Sequence, residues 1–152
     1  MADLPTINRP LDEVQELGVT PGVPALGSRY RDGGNEYIFC RGVASLAVGD
    51  VVTINHLHAC VRLADAGKGR VGVAMGAANA TTHGCWVQIY GTHSAVKAVA
   101  GTASNSALFS SSTAGSVQSD TSSGNQLKGI LSRSAVASGV IIAEINYPVK
   151  DN

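Results

Sequence analysis

The stretch that decides the fold is residues 71–91, VGVAMGAANATTHGCWVQIYG. Apolar side chains alternate with small or polar ones on both sides of a polar segment at 79–84, and this pattern predicts two short strands joined by a turn. In the second strand Trp86 and Tyr90 fall on the face opposite the aliphatic side chains. This split predicts a strand that uses its aromatic face at a contact.

The rest of the chain has the composition of a β protein. Its 152 residues include 18 glycines, only 5% are aromatic and 14% are charged, so small β-formers and frequent turns dominate. From Tyr37 onward, strand-like segments follow one another, separated by glycine-rich turns. We therefore predict an all-β fold for residues 28–152: a single antiparallel β-barrel or sandwich, jelly-roll-like.

The β region contains a weak internal repeat. At an offset of about 56 residues, Val52 aligns with Leu108 and Val61 with Val117. Two similar sets of strands that close against each other remove the exposed sheet edges that would otherwise promote aggregation. We expect the domain to be built from two related halves.

Residues 1–27 form a different region. Four of the five prolines lie here, and the apolar residues are spaced instead of alternating, which predicts an extended N-terminal arm. The three-residue spacing of Leu11, Val14 and Leu17 favours a short helix over 11–17. A helix this short is marginal in water, so the arm is expected to dock either on its own domain or on a neighbour.

Charge and cysteine content exclude several classes of function. Eleven basic residues balance eleven acidic ones, so no net field attracts nucleic acid. No apolar run is long enough for a membrane span, and the first residues lack a signal-peptide pattern. The three cysteines, Cys40, Cys60 and Cys85, are odd in number and widely spaced, which predicts buried free thiols in a reducing cytoplasm.

One motif could carry metal chemistry. On a strand, His56, His58 and Cys60 would project to the same side, as in the HxH motif of cupins, and His93 could add a ligand. The glutamate that follows in cupins is missing here, and Arg62 on the same face would repel a cation. A cupin-like metal enzyme is therefore kept only as an alternative, and we expect no metal site and no cofactor.

Other catalytic signatures are weak. Cys85 lies close to His83, but no helix N-terminus is present to lower the pKa of the thiol. The carboxylates are scattered, and the glycines match no phosphate-binding motif. The sequence therefore predicts a protein that is not an enzyme.

Several short motifs, in their order along the chain, resemble those of a known family. They are YIF at 37–39, GDVV at 49–52, RVGVA at 70–74, GCWVQ at 84–88 followed by Gly91, KGI at 128–130 and INYP at 145–148. In this order they resemble the capsid decoration, or cement, proteins of bacteriophages. Cys85 departs from the pattern, because the family often has an aromatic residue there, and the arm lies outside the resemblance.

The resemblance implies a structural virion protein. Such a protein is made in the host cytoplasm and binds the outer surface of the phage head, often as a trimer, where it clamps neighbouring major capsid protein subunits. The apolar residues of the arm are the expected capsid contact: Leu4, Ile7, Leu11, Val14 and Leu17. The expected contact within the homo-oligomer is made by Trp86 and Tyr90. A further alternative is a phage tail or fibre module that binds host glycan through the same two aromatic residues.

Overall fold

The computed structural model describes residues 11–12, 15–18, 22–121 and 125–151. Across these residues the chain is all-β, without a helix, and its strands form one antiparallel sheet that does not close. The strands are β1 (Gln15–Glu16), β2 (Arg29–Asp32), β3 (Asn35–Arg41), β4 (Val51–Ile54), β5 (Cys60–Arg62), β6 (Gly69–Ala74), β7 (His83–Lys97), β8 (Ala107–Ser110), β9 (Val117–Gln118), β10 (Gln126–Ser132) and β11 (Val140–Lys150). The predicted all-β antiparallel class is confirmed.

The sheet is organised around β7, which is 15 residues long. Its first part pairs with β1, β3 and β6, and its second part pairs with β11. The two parts meet at Gly91, whose φ of 105° lies in the left-handed region. A Cβ there would come within 1.9 Å of the Asn35 side-chain oxygen, so only glycine fits this position.

The strand pairing repeats along the chain. In the first unit, the first part of β7 pairs with β3 and β6, β6 pairs with β4, and β4 pairs with β5. In the second unit, β11 pairs with the second part of β7 and with β10, β10 pairs with β8, and β8 pairs with β9. Corresponding strands lie about 56 residues apart. The internal repeat expected from the sequence is therefore present in the pairing, and β7 serves both units.

Each unit buries an apolar cluster on one face of its strands. Val52 and Val87 belong to the cluster of the first unit, and their counterparts, Leu108 and Ala143, belong to that of the second. Valines from β4 and β6 of the first unit also join the second cluster. The second cluster therefore spans both units, whereas the first cluster stays within the first unit.

The outer face of the first unit carries a third cluster, formed by Tyr37, Phe39 and Trp86. The half-buried residues that cover it are Leu11, Leu17, Val23, Leu26, Tyr30 and Met75. Most of these covering residues come from the segment that precedes β3. The arm, where the structure describes it, therefore docks on its own domain.

The short helix predicted over 11–17 is wrong. Gln15 and Glu16 form β1, which pairs with β7 at Gly84 and His83, and the Leu17 N–H donates to the Thr82 carbonyl over 2.7 Å. A short helix gains few hydrogen bonds, whereas the edge of β7 offers backbone partners together with apolar cover. The sheet therefore determines the conformation of this segment.

A buried ion cluster joins the two units. The Asp50 carboxylate is fully buried and accepts from Lys97 Nζ over 2.7 Å and from the Ala47 N–H over 2.8 Å. Arg62 Nε lies 3.1 Å from the same carboxylate, and Arg62 also donates to the Ala114 carbonyl. Asp50 thus connects the start of β4 to β5, β7 and the turn before β9.

Candidate functional site

The two histidines of the cupin-like motif do not lie on a strand. His56 and His58 occupy the turn between β4 and β5, and His58 has a left-handed φ of 56°. Asn55 shapes this turn, because its side-chain oxygen accepts from the Leu57 and Ala59 N–H groups. His56, His58 and Cys60 therefore do not project from one side of a strand, as the predicted metal site requires. Among the described residues, no group of three or more His, Cys, Asp or Glu side chains is placed to hold a metal ion.

The three cysteines are buried free thiols, as predicted. Burial raises the pKa of the Cys40 thiol, and a hydrogen bond with the Cys60 thiol together with burial raises that of Cys85. The nearby His83 accepts a hydrogen bond from the Asn79 N–H within its own turn. Thiols held in the protonated form are poor nucleophiles, so Cys85 and His83 do not form a catalytic pair.

The structure separates the two aromatic residues predicted at an oligomer contact. Trp86 is 1% exposed, and its ring packs against Phe39 with centroids 5.2 Å apart. It has no surface to offer a second copy, so the prediction is wrong for Trp86. Tyr90 is 41% exposed, and an oligomer contact through it stays a prediction.

The structure describes two of the five residues predicted to form the capsid-binding arm. Leu11 and Leu17 pack on the outer face of the first unit and are half-buried there, and a capsid contact through them stays a prediction. Leu4, Ile7 and Val14 lie outside the described residues. Of the two docking alternatives left open by the sequence, the described part of the arm follows the intramolecular one.

The outer face of the second unit has no equivalent cover among the described residues. Leu131 and Ile142 are both 41% exposed, and at the period of the repeat they correspond to Met75 and Trp86 of the covered face. The Arg133 N–H donates to the Ile142 carbonyl and Leu131 pairs with Glu144, so the two apolar side chains are diagonal neighbours on adjacent strands. We call Leu131 and Ile142, with the Arg133–Glu144 ion pair beside them, the second-unit face.

An apolar groove begins beside the arm and ends at the second part of β7. It has a volume of about 430 Å³, and Leu11, Met75, Val48 and Ala95 contribute its apolar walls. Ala95 lies next to the strand that carries Ile142, because its neighbour Val96 pairs with Ile141. The groove therefore extends from the covered outer face to the second part of β7.

A second surface feature is an open cleft of about 570 Å³ between two exposed tyrosines and the β2–β3 turn. The rings of Tyr90 and Tyr147 have centroids 5.2 Å apart and an interplanar angle of 33°. Side chains from the turn and from the two strands beside it complete the wall: Arg31, Asp32, Asn35 and Glu36. Sequence alternation had identified Tyr90 but gave no signal for Tyr147, which comes from the far end of the chain. We call this feature the tyrosine cleft.

Glu36 organises the tyrosine cleft. Its buried carboxylate accepts from Arg29 over 2.6 Å, from Arg31 over 2.9 Å and from the Tyr147 hydroxyl over 2.7 Å. Burial alone raises the pKa of the Glu36 carboxyl, but the Tyr147 hydrogen bond and the two guanidinium groups outweigh it and hold the pKa below its ordinary value of 4.5. Glu36 is therefore charged at neutral pH and links β2, β3 and β11.

This depressed pKa predicts an acid-sensitive contribution to stability. A carboxylate whose pKa is lower in the folded state stabilises the fold above the unfolded pKa, and this stability is lost as the pH falls through the folded value. We expect the midpoint of thermal unfolding to drop as the pH falls from 7 to about 3, and to drop less steeply in Glu36→Gln. Glu144→Gln, which removes an exposed ion pair, should keep the wild-type slope. Equal slopes in wild type and Glu36→Gln would contradict the prediction.

No protein-family model matches the chain, and neither a curated protein nor a solved structure matches it significantly. Over the described residues there is also no helix of the length and apolar character needed to cross a membrane.

Proposed function

We propose that this chain is a capsid decoration protein, which binds the outer surface of a phage head and stabilises contacts between major capsid protein subunits. The observation that carries the proposal is the second-unit face. The repeat places Leu131 and Ile142 where the first unit has Met75 and Trp86, and the described residues of the arm cover only the first unit's pair. The order of motifs along the chain supports the same assignment.

The composition of this face favours a protein partner. Two exposed aliphatic side chains lie together, and the charges beside them are already paired, with Arg133 Nη2 2.8 Å from the Glu144 carboxylate. Such a surface can be buried without leaving a charge unpaired, which suits a partner that is itself largely apolar at its centre. The proposed partner is the major capsid protein, and the proposed place is the outside of the virion.

Repetition of the contact would make the binding strong. A homo-oligomer, with a trimer as the favoured state, would present several second-unit faces at once. Each face is small, but binding of the first raises the effective concentration of the others, so the assembly binds more tightly than one chain. Tyr90 is retained as the proposed contact within the oligomer. The arm residues retained as additional capsid contacts are Leu4, Ile7, Leu11, Val14 and Leu17.

Co-sedimentation with expanded heads of the phage that encodes the chain tests this proposal. We expect the wild-type protein to pellet with heads in a fixed ratio to capsid subunits. The double variant Leu131→Asp/Ile142→Asp should bind at least about tenfold more weakly, because two carboxylates would be placed in an apolar contact.

The control is Leu57→Asp, which adds a carboxylate at a side chain that is 66% exposed in the β4–β5 turn. It should bind as wild type does. Light scattering of each variant shows whether the oligomer persists, which separates a lost capsid contact from lost assembly. Undiminished binding by the double variant would refute the role of the second-unit face, and a wild-type protein that never pellets with heads would refute the function.

A further inference from the structure

We propose that the tyrosine cleft is a binding site for a neutral saccharide. This site goes beyond the proposed capsid contact. It uses none of the residues of the second-unit face, but it shares Tyr90 with the proposed oligomer contact. A carbohydrate has apolar C–H faces and polar hydroxyl edges, and the cleft presents aromatic rings beside polar side chains in the same way.

The aromatic part of the cleft is its platform. Tyr90 and Tyr147 are 41% and 46% exposed, although their rings contact each other, so part of each residue stays accessible to a ligand. Aromatic rings with a negative π face attract C–H groups, and each such contact contributes a little when several are made together. The volume of about 570 Å³ falls in the range that holds small organic ligands.

The backbone of Tyr147 provides an independent argument. Its φ is 45°, a left-handed conformation that is uncommon for a bulky side chain. At the period of the repeat the corresponding residue is Gly91, which adopts its own positive φ without a side chain. The second unit therefore keeps a tyrosine where glycine would be relaxed. Strain of this kind persists where the surrounding structure imposes it and is concentrated at functional sites.

Hydrogen bonds tie the opposite wall of the cleft to β7. Gly33 and Gly34 form the β2–β3 turn with φ values of 56° and 84°, which glycine adopts easily. The Asn35 side-chain oxygen accepts from the Thr92 N–H and from Gln88 Nε2, both over 3.2 Å. Asn35 and, through its hydrogen bond to Glu36, Tyr147 are thus positioned before a ligand arrives, which lowers the entropic cost of binding.

The charges in the cleft select for a neutral ligand. Arg31 on the cleft wall and Arg29 behind it both bind the Glu36 carboxylate, and Asp32 lies on the same wall as Arg31. Two guanidinium groups and two carboxylates cancel, so no net positive field is present to hold a phosphate group. The side chain of Arg31 is still 75% exposed and offers donors at the rim, where the hydroxyls of a sugar would lie.

Titration of the whole protein with soluble glucose, galactose, mannose and N-acetylglucosamine oligosaccharides, followed by amide NMR, tests the proposal. At concentrations up to about 10 mM, at least one of them should shift the amides of Gly33, Gly34 and Tyr90 saturably. Tyr90→Ala and Tyr147→Gly should each weaken this binding by about tenfold or more. Tyr147→Gly removes the ring without creating a strained backbone, so its fold should persist.

Leu57→Ala, far along the chain in the β4–β5 turn, is the matched control and should bind the saccharide as wild type does. Inorganic phosphate is the charged comparison and should produce no saturable shift in the cleft. The proposal is overturned if no oligosaccharide shifts these amides, if phosphate does so instead, or if binding survives loss of both rings. Tyr147→Gly, which leaves the proposed oligomer contact at Tyr90 in place, is then tested with phage heads, since retained co-sedimentation would show that the two sites act separately.

Discussion

Replacing Asp50 with alanine is expected to lower the free energy of unfolding by about 3–5 kcal/mol. The carboxylate has no exposed surface and binds Lys97 over 2.7 Å and Arg62 over 3.1 Å. Removing it leaves two cations close together without their shared partner and removes the acceptor of the Ala47 N–H. Because Asp50 joins strands of both units, the loss should affect the whole domain in a single unfolding transition.

Urea unfolding followed by circular dichroism measures this effect. Asp151→Ala is the matched control, since it removes an exposed carboxylate that lies 2.6 Å from Lys128 Nζ and should change the free energy of unfolding little. Asp50→Asn keeps the volume of the side chain but not its charge, so its loss of unfolding free energy should lie between those of Asp50→Ala and Asp151→Ala. A loss in Asp50→Ala no greater than that in Asp151→Ala would show that the buried cluster does not stabilise the junction.

The sequence predicted the fold class because its period-2 pattern is strongest where strands are buried. The alternation in 71–91 covers the end of β6 and the first part of β7. The alignment of Val52 with Leu108 predicted that β4 and β8 are equivalent strands, and β4 indeed pairs with β6 as β8 pairs with β10. These features depend on local periodicity, which a sequence records directly. The division of β7 between the two units was not predicted, because it depends on its pairing partners.

The candidate sites were predicted less well, since they depend on contacts between distant segments. Alternation placed Trp86 on the face away from the aliphatic residues, which is correct, but only the arm's position makes that face buried. The spacing of Leu11 and Leu17 predicted a helix, but both side chains pack against the sheet, and the residues just before Leu17 form β1. Tyr147 reaches Glu36 across 111 residues, a pairing that no local pattern could indicate.

Replacing Trp86 with alanine is expected to lower the free energy of unfolding by about 3–5 kcal/mol. Trp86 is the largest fully buried side chain, and it packs against Phe39 beneath the arm. The cavity left by the indole cannot be filled by the half-buried leucines above it without moving the arm. Two effects should therefore appear together, namely a less stable domain and a loosened arm.

Hydrogen exchange separates these two effects. The Leu17 N–H, which donates to the Thr82 carbonyl, reports on the docking of the arm, and its protection should fall in Trp86→Ala by more than that of amides in β10. Trp86→Phe keeps an aromatic ring, and the indole Nε1 has no hydrogen-bond partner among the described residues, so this variant should cost less than about 2 kcal/mol. Tyr90→Ala, which removes an exposed ring from the same strand, should leave Leu17 protected. If Leu17 stayed protected in Trp86→Ala, the arm would be held by its strand pairing alone, and the aromatic cluster would serve only the stability of the sheet.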